Sequence, residues 1–495
     1  MVMMKKGMSS IWMSSIFLVA AVFVVVVQKV ADAQEEVVVE LRGVPKEEAP
    51  SFGQLWSEAA QEMPWVIPLR RELHRQPELM FNETMTARKI CQVLESFDIA
   101  YSGGWAVNTK QEELEAKGFK SGRGGTGVVA DIGTGGEPCV LLRADMDALP
   151  IRESKALKLP FESEINGVMH ACGHDAHAAM LLGAAAVLKK REAMINGTVR
   201  IIFQPAEEGG AGGKRMVEEG VLTKEPRPIA AFGFHQWPFL PIGTLGARPG
   251  TQMAATDLFD ILISGVGGHA AMPHMTVDPI VAAAHVVSSL QILAARETSP
   301  LDAAVVSVTR IHAGDAYNII PDSAQVGGTI RSLTEAGLAR LRDRVDAVVR
   351  SAAQAHLCNA TIDWKPDSYP PVDNDPDLFT WLTDVAADAS VERRVRLVEP
   401  TMGGEDFAFI SKTIPSVFVN LGSGDSEWPL PADLVDDDHE KKEPPHLLDT
   451  TVTVHSPRFV LNENVLQRGV ALHAHLALQF LNGKNQQNPV LRSEL

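Results

Sequence analysis

The feature that most constrains the fold of this chain is a change of element order partway along it. Residues 128–132 and 140–142 are short bounded apolar runs of strand length. Residues 198–203 are apolar and β-branched, and 175–190 carry helical periodicity after a Gly-rich turn. Over 251–366 the order changes. Residues 258–264, 304–311, 325–332 and 361–364 read as strands, and 279–295 and 335–355 as helices. Strand, helix, strand, strand, helix, strand is the ferredoxin-like order. The αβ alternation resumes after Tyr369-Pro370-Pro371. The expected fold class is therefore α/β: a larger domain whose sheet is flanked by helices, interrupted by a smaller α+β ferredoxin-like domain. Its boundaries read as 59–250 and 367–484 for the larger domain and 251–366 for the insertion.

With 495 residues the chain has room for this arrangement and for a sizeable core. Its formal net charge of -17 argues against a phosphate-backbone partner, and no basic stripe offsets it. Lys5 and Lys6 precede an apolar run over 11–27 that ends near Ala31-Asp32-Ala33. This is the pattern of a signal peptide over 1–33; an uncleaved anchor is the alternative, because the run approaches spanning length. Residues 34–58 read as a linker or pro-segment and 485–495 as a tail. Sequons at Asn82, Asn196 and Asn359 fit a secretory route. The final Arg492-Ser493-Glu494-Leu495 partly resembles an ER-retention tail. The expected compartment is the ER lumen or the extracellular space. Four cysteines, Cys91, Cys139, Cys172 and Cys358, make no disulfide-scaffold pattern. Residues 103–125 contain many Gly, Lys and Glu, and 424–450 carry Asp436-Asp437-Asp438 and Pro444-Pro445; both read as solvated surface loops.

The chemistry concentrates in a few strings. Met169-His170-Ala171-Cys172-Gly173-His174-Asp175-Ala176-His177 gathers a thiol, three imidazoles and a carboxylate around a glycine turn at a helix start. Thiolate and imidazole suit borderline-soft divalent ions. Gln204-Pro205-Ala206-Glu207-Glu208-Gly209-Gly210 follows a strand, so its adjacent carboxylates point to different sides. One can ligate while the other stays free as a base; alone, such a pair is more often a solvated turn. His235 ends another strand and His455 lies far away in sequence; spacing alone decides neither.

The strings Cys-Gly-His-Asp-Ala-His, Gln-Pro-Ala-Glu-Glu-Gly-Gly, Gly-Gly-His-Ala-Ala-Met-Pro-His and His-Ser-Pro-Arg-Phe occur here in one order. Together they resemble the aminoacylase/carboxypeptidase family of co-catalytic metallopeptidases. The likeness is closest to its amidohydrolase branch of hippurate and indole-3-acetic-acid–amino-acid hydrolases, and it runs from Arg70 to beyond His455. It implies a catalytic domain with an inserted lid that also serves dimerisation, though a monomer stays open. It implies two divalent metal ions, Mn²⁺ or Zn²⁺ with Co²⁺ as a third candidate, on Cys172, His174, Glu208, His235 and His455. It implies Glu207 as general base, Asp147 as a carboxylate that orients a ligand, and lid His269 as a stabiliser of the tetrahedral intermediate, often across a dimer. Asn318 and Arg331 match lid residues that hold polar groups of the substrate, although Arg331 reads equally as a surface strand residue. Glu405 falls in a loop near the site, and His74 reads as structural. Phe234 and Trp237 depart from the smaller residues usual around that histidine, and the loops at 103–125 and 424–450 look longer than usual; both departures bear on the acyl pocket or its mouth. The implied substrate is a small N-acyl amino acid. A carboxypeptidase or dipeptidase, and an inactive secreted binding protein, are the rival readings.

Overall fold

The computed structural model describes residues 49–116, 118, 120–429 and 447–482. The expected signal peptide, most of the expected linker, the expected tail and most of the 424–450 stretch lie outside the described residues. Helix α1 (Phe52–Arg75) opens on Ser51, whose hydroxyl accepts from the Gln54 amide while the Gln54 side chain accepts from the Ser51 amide. This capping box draws residues 52–58, read above as linker, into the first turns of a helix.

Along the chain follow α2 (Thr84–Ser96), β1 (Tyr101–Val107), α3 (Gln111–Ala116), β2 (Gly124–Gly133), β3 (Cys139–Asp145), α4 (His174–Lys190), β4 (Thr198–Gln204), α5 (Gly212–Glu218), β5 (Pro228–Pro241) and β6 (Leu245–Ala247). Next come β7 (Ala255–Ser264), β8 (Gly268–His269), α6 (Pro279–Ile292), β9 (Ala304–Ala313), β10 (Ile319–Ile320), β11 (Ser323–Ser332), α7 (Glu335–Ala355) and β12 (Asn359–Trp364). The chain then adds α8 (Pro376–Val385), β13 (Val395–Leu397), β14 (Ser416–Gly424) and α9 (Asn464–Asn482).

Eight of these strands form one mixed sheet in the order β1-β2-β4-β3-β5-β14-β6-β13. Its centre is parallel: β3 pairs with β4 and β5, and β14 with β5. Strands β3 and β4 are buried at every position, as expected of parallel strands covered on both faces. One face buries Val66 and Leu69 of α1, Leu181 and Leu182 of α4, and Val470 and Leu476 of α9. Helices α4 and α9 touch closely, since a Cβ on Gly469 would lie 1.9 Å from the Met180 sulfur. The other face packs Phe81, Phe407 and Phe418. The carboxyl ends of the parallel strands therefore open into one crevice, where α/β folds place their ligands.

Strands β7, β9, β11 and β12 form a second, antiparallel sheet in the order β9-β11-β7-β12. Helices α6 and α7 cover one face with Val286, Leu290, Leu341 and Val345 over Phe259 and Ile261. Burial along β7 alternates with period two, so Thr256, Leu258 and Asp260 share the opposite face. Helix α6 ends at Ile292 and continues as a π turn over Leu293–Glu297 rather than running regularly to 295.

The largest departure from the sequence reading is at 103–125. Residues 101–107 are a strand of the main sheet, and 111–116 are helix α3, whose Leu114 is only 3% exposed. Leu114 is the buried residue of this mostly polar turn, and it pins the segment down.

Candidate active site

Three segments meet at the carboxyl ends of β3, β4 and β5. The first precedes α4. Gly173 caps this helix at φ 93°, a left-handed conformation that favours glycine, and a Cβ there would lie 2.7 Å from the Gln236 side chain. The turn places Cys172 and His174 side by side. The second segment follows β4, where Ala206 takes φ 57° and turns the chain so that Glu207 and Glu208 face the crevice. The third is β5, which carries His235. A fourth, distant segment brings His455, whose amide donates to the Ala171 carbonyl at 2.8 Å.

The hydrogen bonds leave the expected donors facing one another. His174 Nδ1 points at the Asp147 carbonyl at 2.9 Å, which leaves Nε2 buried and without a hydrogen-bond partner. His235 Nδ1 points at the Gln236 carbonyl at 2.6 Å, leaving Nε2 3.3 Å from the Cys172 sulfur. His455 Nε2 lies 3.1 Å from Glu208 Oε1. Ligand atoms of Cys172, His174 and His235 lie within 4.8 Å of one another, as do those of Cys172, Glu208 and His455, and those of His174, Glu207 and Glu208. His177 sits among them but is otherwise engaged: Nδ1 meets Asp145 at 2.6 Å and Nε2 accepts from the Gln236 amide at 2.9 Å.

Asp147 is a positioning residue. Its two carboxylate oxygens accept from the amides of Glu207 and Glu208 at 3.0 and 3.1 Å, and its carbonyl faces His174. Several supports carried no recognisable sequence signal. Glu83, fully buried, accepts from the Ala206 amide at 2.9 Å and holds the left-handed turn. The Tyr369 hydroxyl donates to the Glu207 carbonyl at 2.7 Å and accepts from the Ala211 amide at 3.0 Å. Arg143, fully buried, binds Asp145, Glu405 and Asp406 at 2.7, 2.8 and 3.0 Å beneath Glu207. His74 joins Asp175 and Glu153 at 2.8 and 3.1 Å, as a structural residue does.

This cluster is rich in carboxylates. Burial, then the Glu405 and Glu208 carboxylates, push Glu207 well above the usual carboxylate range. Burial opposes a charged His174 ring, but Asp145 and Asp147 outweigh it and raise its pKa to about 10. Burial, with the neighbouring His177, keeps His235 neutral. Burial and then Glu208 hold the Cys172 thiol well above its usual range. A pocket that raises an imidazole this far attracts cations. Two of its ligand atoms are buried: His174 Nε2, which has no hydrogen-bond partner, and Glu208 Oε1, which faces His455 Nε2. The donor set of sulfur, imidazole nitrogen and carboxylate oxygen fits borderline-soft divalent metals.

Above the cluster lies a cavity of about 420 Å³. Its lining includes Glu207, Trp237, Leu258, Arg331 and Tyr369, so both sheets contribute. Arg331 Nη1 donates to the Met402 carbonyl at 2.7 Å. It is the lid residue from the sequence reading that reaches this cavity. His269 and Asn318 do not line it. They lie together on the exposed β8–β10 ribbon, where Ile319 pairs with His269 and the Ala270 amide donates to the Asn318 carbonyl.

The profile of the peptidase family M20/M25/M40 matches residues 141–456. The chain is 39% identical over 429 residues to the IAA-amino acid hydrolase ILR1-like 2 of Arabidopsis thaliana, covering 86% of this chain and 87% of that one. It is 40% identical over 375 residues to N-acetylcysteine deacetylase of Bacillus subtilis, covering 75% and 92%. A solved Bacillus subtilis structure described as a dinuclear metal binding peptidase of family M20 superposes with a TM-score of 0.62 at 34% identity, over 86% of this chain and 99% of that one. The chain belongs to peptidase family M20/M25/M40, a family with dinuclear metal sites, and is a hydrolase that cleaves amide bonds.

Proposed function

We propose that the enzyme cleaves N-acyl amino acids, including conjugates of bulky acids such as indole-3-acetic acid, to a carboxylic acid and a free amino acid. The observation that carries this reading is the Glu207–Glu208 turn, locked by Asp147, Glu83 and Tyr369 beneath a cavity that also holds Arg331. Cys172, His174, Glu208, His235 and His455 would hold two divalent ions, Mn²⁺, Zn²⁺ or Co²⁺. Bound there, such ions supply an acidified water and a polarised amide carbonyl.

The protein's own groups do the rest. Glu207 takes the proton of the attacking water and returns it to the departing nitrogen. A carboxylate pushed upward by burial and by its neighbours is suited to both transfers. Arg331 receives the α-carboxylate of the amino acid. His269 and Asn318 would serve a second copy of the chain, with His269 stabilising the oxyanion. Exposed Met275, Val281 and Ile319 around their ribbon offer that copy an apolar surface. The apolar run before Ala33 and the exposed sequon residues Asn82, Asn196 and Asn359 support action in the ER lumen or outside the cell.

The test is purified protein on a panel of N-acyl amino acids and dipeptides, before and after chelation. Hydrolysis of the acyl amino acids, lost on chelation and restored by Mn²⁺, Co²⁺ or Zn²⁺, is expected. Preference for dipeptides would move the assignment to a dipeptidase, and turnover of neither to a binding protein.

A further inference from the structure

The segment between β1 and β2 is closed at its base. The Asn108 amide donates to the Arg123 carbonyl at 2.9 Å, and the Asn108 side chain donates to the Gly122 carbonyl at 2.7 Å and to Ser121 Oγ at 3.1 Å. Two residues beyond Asn108, Lys110 and Leu114, reach the crevice. Lys110 Nζ reaches Asp367 Oδ1 at 3.2 Å and the Pro366 carbonyl at 3.5 Å, in the stretch that leads out of β12. One turn later Leu114 enters the same cavity that Glu207, His235 and Arg331 line. The lining of that cavity also includes Pro366 and Leu258; the Leu258 carbonyl accepts from the Lys365 amide at 2.9 Å. Leu258 lies two residues along β7 from Thr256, the cross-strand partner of Arg331. At about 3.3 Å per residue Leu258 is offset along its strand by roughly 7 Å from the residue that pairs with Arg331.

We infer that α3 is a specificity element and that Leu114, with Leu258 and Pro366, sets the size of the apolar group the cavity accepts. This rests on the hydrolysis of N-acyl amino acids proposed above. The group is aromatic or long-chain aliphatic in chemistry, and it comes from the acyl half or from the amino-acid side chain. Leu114 is the segment's apolar contribution to the cavity, and Lys110 anchors it to the far wall.

Two substrate series test this: one amino acid carrying acyl groups from acetyl to decanoyl and indolyl-acetyl, and N-acetyl derivatives of amino acids from alanine to tryptophan. Leu114→Phe should lower kcat/KM for the bulkiest members of one series by about tenfold relative to its smallest member, the scale on which a hydrophobic pocket discriminates single methylenes. Leu114→Ala should shift the optimum of that series to a larger group. The series that responds identifies the half of the substrate on the wall. Lys110→Met, which keeps the stem and removes the anchoring charge, should flatten the same profile about threefold and serves where a Leu114 variant fails to fold. Profiles unmoved in both series, for every variant that folds, overturn the inference alone. A wild-type protein that cleaves neither series overturns the functional reading and this inference with it.

Discussion

The floor of the cavity and its lid are built in opposite ways. On the floor each side chain is fixed by a second one: Asp147 holds the Glu207 and Glu208 amides, Glu83 holds Ala206, and Arg143 spans Asp145, Glu405 and Asp406. Nearly all of this is buried. The lid lines the cavity with two cations, Arg331 and Lys365, and carries His269 and Asn318 on an exposed ribbon outside it. The difference separates two tasks. Proton transfer needs donors and acceptors preorganised to a fraction of an ångström, which a parallel sheet and its buried network supply. Holding the substrate's remaining polar groups tolerates groups that arrive from another domain or another copy.

The sharpest test of the floor separates two adjacent and chemically alike residues. Glu207→Gln keeps shape and polarity but cannot accept the water's proton, so kcat should fall about 10²–10⁴-fold with metal content near wild type. Glu208→Gln replaces an anionic ligand by a neutral one, so metal content itself should fall, and excess metal should restore part of the rate. Metal analysis beside kcat decides. The reverse pattern exchanges their roles, and two active, metal-loaded variants reduce the pair to a solvated turn.

The lid's exposed ribbon gives the next largest effect. Loss of an oxyanion donor costs about 10²–10³-fold in kcat, and His269→Ala should fall in that range. Because His269 lies outside its own cavity, a mixture of inactive His269→Ala and Glu207→Gln chains should regain activity in hybrid dimers. A mixture with only summed residual activity breaks the proposal that the lid serves a second copy. Arg331→Ala is expected to be milder still, raising KM about tenfold with kcat little changed, because it removes binding energy common to substrate and transition state. A loss confined to kcat would place Arg331 in the chemistry instead.

The ease with which these parts could be read in the sequence follows the same division. Cys172 and His174 lie in one nonapeptide and Glu207 and Glu208 in one turn, so local spacing exposed them. His235 and His455 are isolated histidines 220 residues apart in the numbering, and only the resemblance to known hydrolases joined them. The lid was legible because its strands have one covered face and alternate with period two. Arg143 and Glu83 were not, since a buried charge inside a strand or at a helix start has no pattern until its partners fold against it. Helix α3 was hidden for another reason. Six residues with one large apolar side chain show no periodicity, and Leu114 acquires its meaning only from the cavity it enters.

The smallest effect concerns the joint between the two regions. Asp367, its side chain largely buried just after the lid's last strand, accepts from Arg215 Nη2 at 2.6 Å, Lys214 Nζ at 2.8 Å and Lys110 Nζ at 3.2 Å. Burial pushes its pKa up, but Arg215 and Lys214 outweigh burial and lower it to about 2. A carboxylate depressed in the folded state contributes stability that is present in full above its ordinary value of about 4 and is lost as pH falls from there through about 2. The lysines are partly solvated, so screening leaves about 1 kcal/mol of that contribution. Asp367→Asn should therefore lower stability by about this amount at neutral pH, measured by urea unfolding. The gap to wild type should close progressively below about pH 4, because protonated aspartic acid and asparagine present nearly the same uncharged group to the three cations. A gap of constant size across that range would show that Asp367 joins the regions through packing rather than through its charge.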